Sequence, residues 1–172
     1  PFTGPVNFTV SGTAGNGAIL GPSAGNVDTL TVVPCLVEVT ATSAISDVCR
    51  NGQIVTYTIQ DRDGVLVTDY EGTILIRAKD DPAATTFKGD WEYDGSAVDP
   101  PTAPSQIVNA AGDDGFASLQ FVDADNGSIQ IRYINENIGD WDLDVATSTF
   151  TLAGTSSADI EVSPCHFYIS YD

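Results

Sequence analysis

The sequence predicts an all-β protein whose main body is a sandwich of two packed antiparallel sheets. Three observations predict it. Apolar residues recur at every second position in short runs, turn formers separate those runs, and the composition favours strand over helix. The 172 residues include 16 Gly and only 6 Lys and Arg, with no Met. A hydrophobic fraction of 42% is enough for a real core, so the chain is not read as disordered.

The runs follow one another in a regular order. Val37 and Val39 alternate with Glu38 and Thr40 in a first strand running from about Leu36 to Ala44. Val55, Tyr57 and Ile59 alternate with Thr56, Thr58 and Gln60, and Ile74 and Ile76 oppose Thr73 and Arg77. Further on come Ala117, Leu119 and Phe121, then Ile129, Ile131 and Tyr133, then Trp141, Leu143 and Val145, each alternating with polar residues. With period two, each set faces one core. The turns between them are Asn51-Gly52, Asp61-Arg62-Asp63-Gly64, Asp113-Asp114-Gly115 and Asp125-Asn126-Gly127, where Gly or Asn can take positive φ. The stretch from Asp80 to Asn109 carries Pro82, Pro100, Pro101 and Pro104, which block central-strand pairing. It reads as a surface excursion with a short edge strand near Trp91 and Tyr93.

The chain also matches itself. Phe8 to Thr13 (FTVSGT) resembles Phe150 to Thr155 (FTLAGT), and Asp28 to Cys35 (DTLTVVPC) resembles Asp159 to Cys165 (DIEVSPC), in the same order. A tandem array explains this simply. Residues 1–35 are then the last strands of a preceding repeat, or a segment exchanged with a neighbour. Residues 36–165 form one complete repeat, and 166–172 begin the next.

The segment Asp61 to Ile74 (DRDGVLVTDYEGTI) resembles the bacterial immunoglobulin-like repeats of large surface proteins, of the invasin and intimin type. The likeness continues through Gly89-Asp90-Trp91, Asp113 to Ala117 and Phe121 to Gly127, and covers roughly residues 36–150. The resemblance implies an immunoglobulin-like fold, an extracellular bacterial location, and a role as a rigid spacer or adhesin stalk. The cysteines and the proline-rich stretch are not part of that pattern.

Charge and chemistry narrow the function further. The net charge of −18 sets up a field that repels nucleic-acid phosphates and anionic membranes, so neither is an expected partner. No apolar stretch approaches the ~20 residues needed to cross a bilayer. His166 is the only histidine, standing beside Cys165 without the further ligands a zinc site needs, and no nucleotide-binding glycine loop is present. The chain is therefore read as non-catalytic, with no cofactor unless it is calcium. Asp61, Asp63, Asp123, Asp125 and Asn126 offer hard oxygen ligands in two turns that a sandwich can bring to one end. Ordinary Asx turns are the alternative. Trp91 and Tyr93 are the candidate contacts for a glycan or protein ligand. Asn7 and Asn126 begin N-x-S/T triplets.

Three cysteines suit an oxidising compartment, and an odd count suits a fragment. If Cys35 closes the preceding repeat as Cys165 closes this one, Cys49 pairs with Cys165, and the strand directions of a sandwich favour that pair. Cys35 with Cys49 is the competing pairing. The expected function is a structural repeat of an extracellular fibre, whose partners are neighbouring repeats or further copies of itself. The alternatives are a ligand-binding adhesin module and a subunit that polymerises by donating a strand.

Overall fold

The computed structural model describes residues 36–43, 52–110, 114–148 and 156–164 in full, and the backbone of short strands outside them. Four of these strands come first: β1 (Val6–Asn7) pairs with β4 (Thr29–Leu30), and β2 (Gly12–Thr13) with β3 (Ile19–Leu20). Both ladders are antiparallel and separate from the two large sheets.

Those two sheets form the predicted sandwich. One contains β14 (Gly154–Thr155), β5 (Leu36–Ala41), β7 (Gln53–Gln60), β12 (Ser128–Ile134) and β9 (Asp90–Glu92), in that order. The other contains β10 (Ile107–Asn109), β11 (Phe116–Phe121), β8 (Gly72–Asp80), β13 (Gly139–Ser148), β15 (Ala158–Ser163) and β6 (Ile45–Asp47). Among the described residues the only helical segments are two single 3-10 turns, Pro104–Gln106 and Asp123–Asp125.

The alternation in sequence becomes the inside and outside of each sheet. Val55 and Tyr57 of β7 lie opposite Ile131 and Ile129 in an antiparallel ladder, and these four and Ile59 are buried. From the facing sheet come Ile74, Ile76 and Ala78, Ala117, Leu119 and Phe121, Trp141, Leu143 and Val145, and Ile160 and Val162. Each fully buried large apolar side chain contributes about 1.5–3 kcal/mol relative to exposure. A register shift between Val145 and Thr147 keeps β13 paired with β8 where the alternation of the two strands falls out of step.

Two features go beyond the sequence reading. The first strand is not continuous to Ala44: it leaves the five-stranded sheet after Ala41 and resumes as β6 in the other layer. The last strand divides in the same way into β14 and β15. In consequence β14 pairs with β5, and β15 with β6, in parallel, while every other ladder among the described residues is antiparallel. Where β14 gives way, Ser156 maintains the pairing. Val39 N donates to its hydroxyl oxygen (2.6 Å), and Ser156 N donates to Val37 O (3.1 Å).

The chain enters and leaves the sandwich at opposite poles. Leu36 pairs with Gln60, at the end where β7 stops and β12 starts. Val162 pairs with Gly139, at the end where β13 starts, and Ser163 is the last residue of β15.

Candidate functional site

The two acidic turns lie at one pole. Ile59 N donates to Gly127 O (2.8 Å) and Val67 N to Ile59 O (2.9 Å), which ties the Asp61–Gly64 turn to the Asp123–Gly127 turn. Gly127 has φ +73°, and a Cβ there would stand 2.0 Å from Val67 O, so glycine is required for this approach. The carboxylates, however, serve the backbone. Asp61 Oδ1 accepts from Asp63 N and Val65 N, both at 2.9 Å, which is an Asx turn.

Asp125 is buried and satisfied on both oxygens. Oδ1 accepts from Thr102 N (3.2 Å) and Thr102 Oγ1 (2.7 Å); Oδ2 accepts from Gln106 Nε2 (2.7 Å) and Val122 N (2.8 Å). Four donors leave no lone pair directed at a cation. Asn126, at φ 51°, donates from its amide to Ala124 O (3.1 Å), and Asp63 and Asp123 are exposed. The five residues therefore do not converge into a cage, and among the described residues no group of three or more His, Cys, Asp or Glu is placed to hold a metal. What Asp125 does hold is the proline-rich excursion, through Thr102 and Gln106.

The excursion is bound along its length. Asp80 Oδ1 accepts from Thr85 N and Thr86 N (2.7 Å each), bonds that hold its carboxyl below the usual range. Asp94 accepts from Ser96 Oγ and Arg132, which lower its carboxyl to about 2. Gln130 N donates to Asp99 O (2.7 Å), so the loop lies along the part of β12 that β9 does not cover. The outer edge of β9 is covered as well. Asn109 places its amide against the backbone of Trp91, with Trp91 N donating to Oδ1 (2.9 Å) and Nδ2 donating to Trp91 O (2.7 Å).

Trp91 itself is 1% exposed. Its ring meets Tyr133 at 4.8 Å and Tyr57 at 5.9 Å between centroids, and its indole N–H donates to Gly115 O (3.3 Å). It is a core residue with no face free for a ligand, because an edge strand of a sandwich still turns alternate side chains inward. Tyr93, the next residue outward by two positions, is 39% exposed and remains available.

A charged cluster that sequence reasoning missed lies on the outer face of the six-stranded sheet. Lys79 Nζ is 2.7 Å from Asp144 Oδ2 and 2.9 Å from Asp142 Oδ2, and Arg77 donates to both oxygens of Asp144. Hydrogen bonding to Asp144 raises both cations above their ordinary values. Burial pushes the Asp144 carboxyl up, but the bonds from Arg77 and Lys79 outweigh it and leave it below the usual range. The signal was the D-x-D run alternating with Trp141 and Leu143. Its partners lie some 65 positions away on β8, and only the strand pairing brings them together.

A cleft of about 430 Å3 is lined by Asp90, Ile134, Glu136 and Asn137, a set holding two carboxylates. Cys35, Cys49, Cys165, His166 and the side chain of Asn7 lie outside the described residues. Among the described residues no helix is long and apolar enough to cross a membrane.

No family model matches the chain, and no curated protein does. Solved structures give distant likenesses. The Yersinia pseudotuberculosis adhesin InvE is similar at 15% identity and TM-score 0.38 over 73% of this chain, which spans only 26% of that one. The seventh ScaB type I cohesin from Pseudobacteroides cellulosolvens is similar at 13% identity and TM-score 0.42, over 80% of this chain and 98% of its own. The ZirS C-terminal domain is similar at 13% identity and TM-score 0.37, over 91% of this chain and 86% of its own. At these values the sandwich rests on its own sheet order and core.

Proposed function

We propose that the chain is a non-catalytic structural module of an extracellular bacterial surface fibre or adhesin stalk, in which sandwiches follow one another end to end. The observation that carries this reading is the opposition of entry and exit: Leu36 stands at one pole and Ser163 at the other, so successive copies extend a line. The burial of Trp91 and the binding down of the proline-rich excursion also favour a spacer over a ligand-binding module. The excursion fastens and covers a sheet edge, as a long-lived extended protein requires. Polymerisation by strand donation would require residues 1–35 to give up the ladders that β1 to β4 form within the chain.

Electron microscopy of the full-length protein tests the proposal. A thin rod with a regular axial repeat is the expected result, and a compact particle overturns it.

A further inference from the structure

Sandwiches that follow one another bring an exit pole against an entry pole, and in a chain of net charge −18 that approach is repulsive unless the two poles are complementary. At the exit pole β12 ends beside β9, with Ile134 paired to Asp90, and these two residues line the cleft of about 430 Å3 together with Glu136 and Asn137. Asn137 N and Nδ2 both donate to Asn135 Oδ1 (2.8 and 2.9 Å), and Trp141 Nε1 donates to Asn137 O (3.0 Å). Among the described residues no hydrogen bond occupies Asn137 Oδ1. Asn135 is buried and donates in turn to the Tyr133 hydroxyl (2.7 Å), which donates to Lys88 O (2.9 Å), so the cleft wall is fixed to the core before anything binds. Two carboxylates and an amide oxygen beside the aliphatic Ile134 suit a planar cation with several N–H donors, a guanidinium, and are too few for a calcium ion. The opposite pole carries such a group. Among the described residues Arg62 is the one cation there, exposed in the turn that follows Gln60, the partner of Leu36. Arg77, Lys79 and Arg132 are in ion pairs, and Lys88 lies against Tyr133 near the exit pole. Apolar surface matches as well: Val65, three residues past Arg62, is 43% exposed, and Ile138, next to Asn137, is 62% exposed.

We propose that the exit-pole cleft receives Arg62 of a second copy of this chain. This rests on the end-to-end reading above and names the contact that reading needs. The guanidinium donates to the Glu136 carboxylate and to Asn137 Oδ1, Asp90 adds negative charge to the same wall, and Val65 meets Ile138. Asp63 opposes the approach, while Asp61 turns Oδ1 onto Asp63 N and Val65 N within its own turn. Cleft and arginine belong to different surfaces of one chain, so the contact is heterologous, and repeated in one direction it builds an open filament rather than a closed dimer. One arginine is a small contact and holds separate chains weakly. Modules joined in one chain meet at an effective concentration on the order of 1 mM, where a weak contact is enough to fix how they stack.

Sedimentation velocity of the 172-residue chain tests this, over a concentration series reaching about 1 mM. Association is expected to rise with concentration and to weaken as sodium chloride goes from about 0.1 M to about 1 M. Arg62→Glu and Glu136→Arg are each expected to weaken it by about tenfold or more at an unchanged melting temperature, since both side chains are exposed. Each variant keeps the half of the contact that the other lacks, so an equimolar mixture is expected to associate again. If either variant does not fold, arginine amide added to the unaltered chain decides: it is expected to compete the association away, and no competition overturns the proposal. No association at the highest concentration, association that Arg62→Glu leaves unchanged, or a mixture that associates no better than its components also overturns it. These outcomes are separate from the axial repeat seen by microscopy. A rod whose modules are indifferent to Arg62 keeps the spacer reading and removes the contact, whereas a compact particle overturns the spacer reading itself.

Discussion

Two buried polar side chains show how differently the same chemistry is treated within one core. Tyr57 is fully buried, and among the described residues its hydroxyl has no hydrogen-bond partner; burial is the first cause pushing its phenol well above the ordinary value. An unmet buried hydroxyl costs about 1–3 kcal/mol, so Tyr57→Phe is expected to leave stability unchanged or to raise it by up to about 1 kcal/mol in denaturant titration. A clear loss would mean that the hydroxyl is satisfied. Asp125 is the opposite case, because its two oxygens meet four donors from three residues. Asp125→Ala orphans those donors and is expected to cost about 2–4 kcal/mol, measured in the same titration, and to free the excursion for proteolysis between Thr102 and Gln106.

At the level of single strands the edges carry the argument. β9 is three residues long, and its outward backbone groups are met by the Asn109 amide, which takes the place of another strand. Asn109→Ala reopens that edge. We expect a loss of about 1 kcal/mol and concentration-dependent association in size-exclusion chromatography with light scattering. The excursion beyond β9 is fastened by charge. Asp94 has a folded-state carboxyl value of about 2, below its ordinary one near 3.8, so the stability it contributes is fully present above about pH 4. It is lost as pH falls through the folded value, because the carboxylate must then take up a proton and release Arg132 and Ser96. Asp80 and Asp144 are shifted in the same direction, so their contributions too are lost as pH falls below the ordinary carboxylate value. The melting temperature is expected to be flat above pH 5 and to fall between pH 4 and pH 2, with a shallower fall for Asp94→Asn.

On the scale of the whole molecule, charge works against the fold it keeps soluble. Twenty-four acidic residues face six basic ones, and three of the six, Arg77, Lys79 and Arg132, are already in ion pairs with Asp142, Asp144 or Asp94. The unpaired acids repel one another over a Debye length of about 10 Å at 0.1 M salt, which shrinks to about 3 Å at 1 M. Raising sodium chloride over that range at pH 7 is expected to raise the melting temperature by a few degrees. A fall would show that the screened ion pairs outweigh the relieved repulsion.

What could be read in the chain before folding was what depends on neighbours two residues apart. Period-two runs at Val55 to Ile59, Ile129 to Tyr133 and Trp141 to Val145 were enough for the strands, their inward faces and the sandwich, because alternation is a local consequence of the extended backbone. The acidic turns were equally legible as turns. What Asp125 holds was not legible: three of the four donors that occupy it come from Thr102 and Gln106, some 20 positions away. Trp91 at an edge, Asn109 as a stand-in strand, the ion cluster on β8 and β13 and the division of the first and last strands between layers were likewise decided in three dimensions. Each depends on which strands are neighbours, and strand pairing is set by closing a common core across long separations, where no pattern in a short window carries the information.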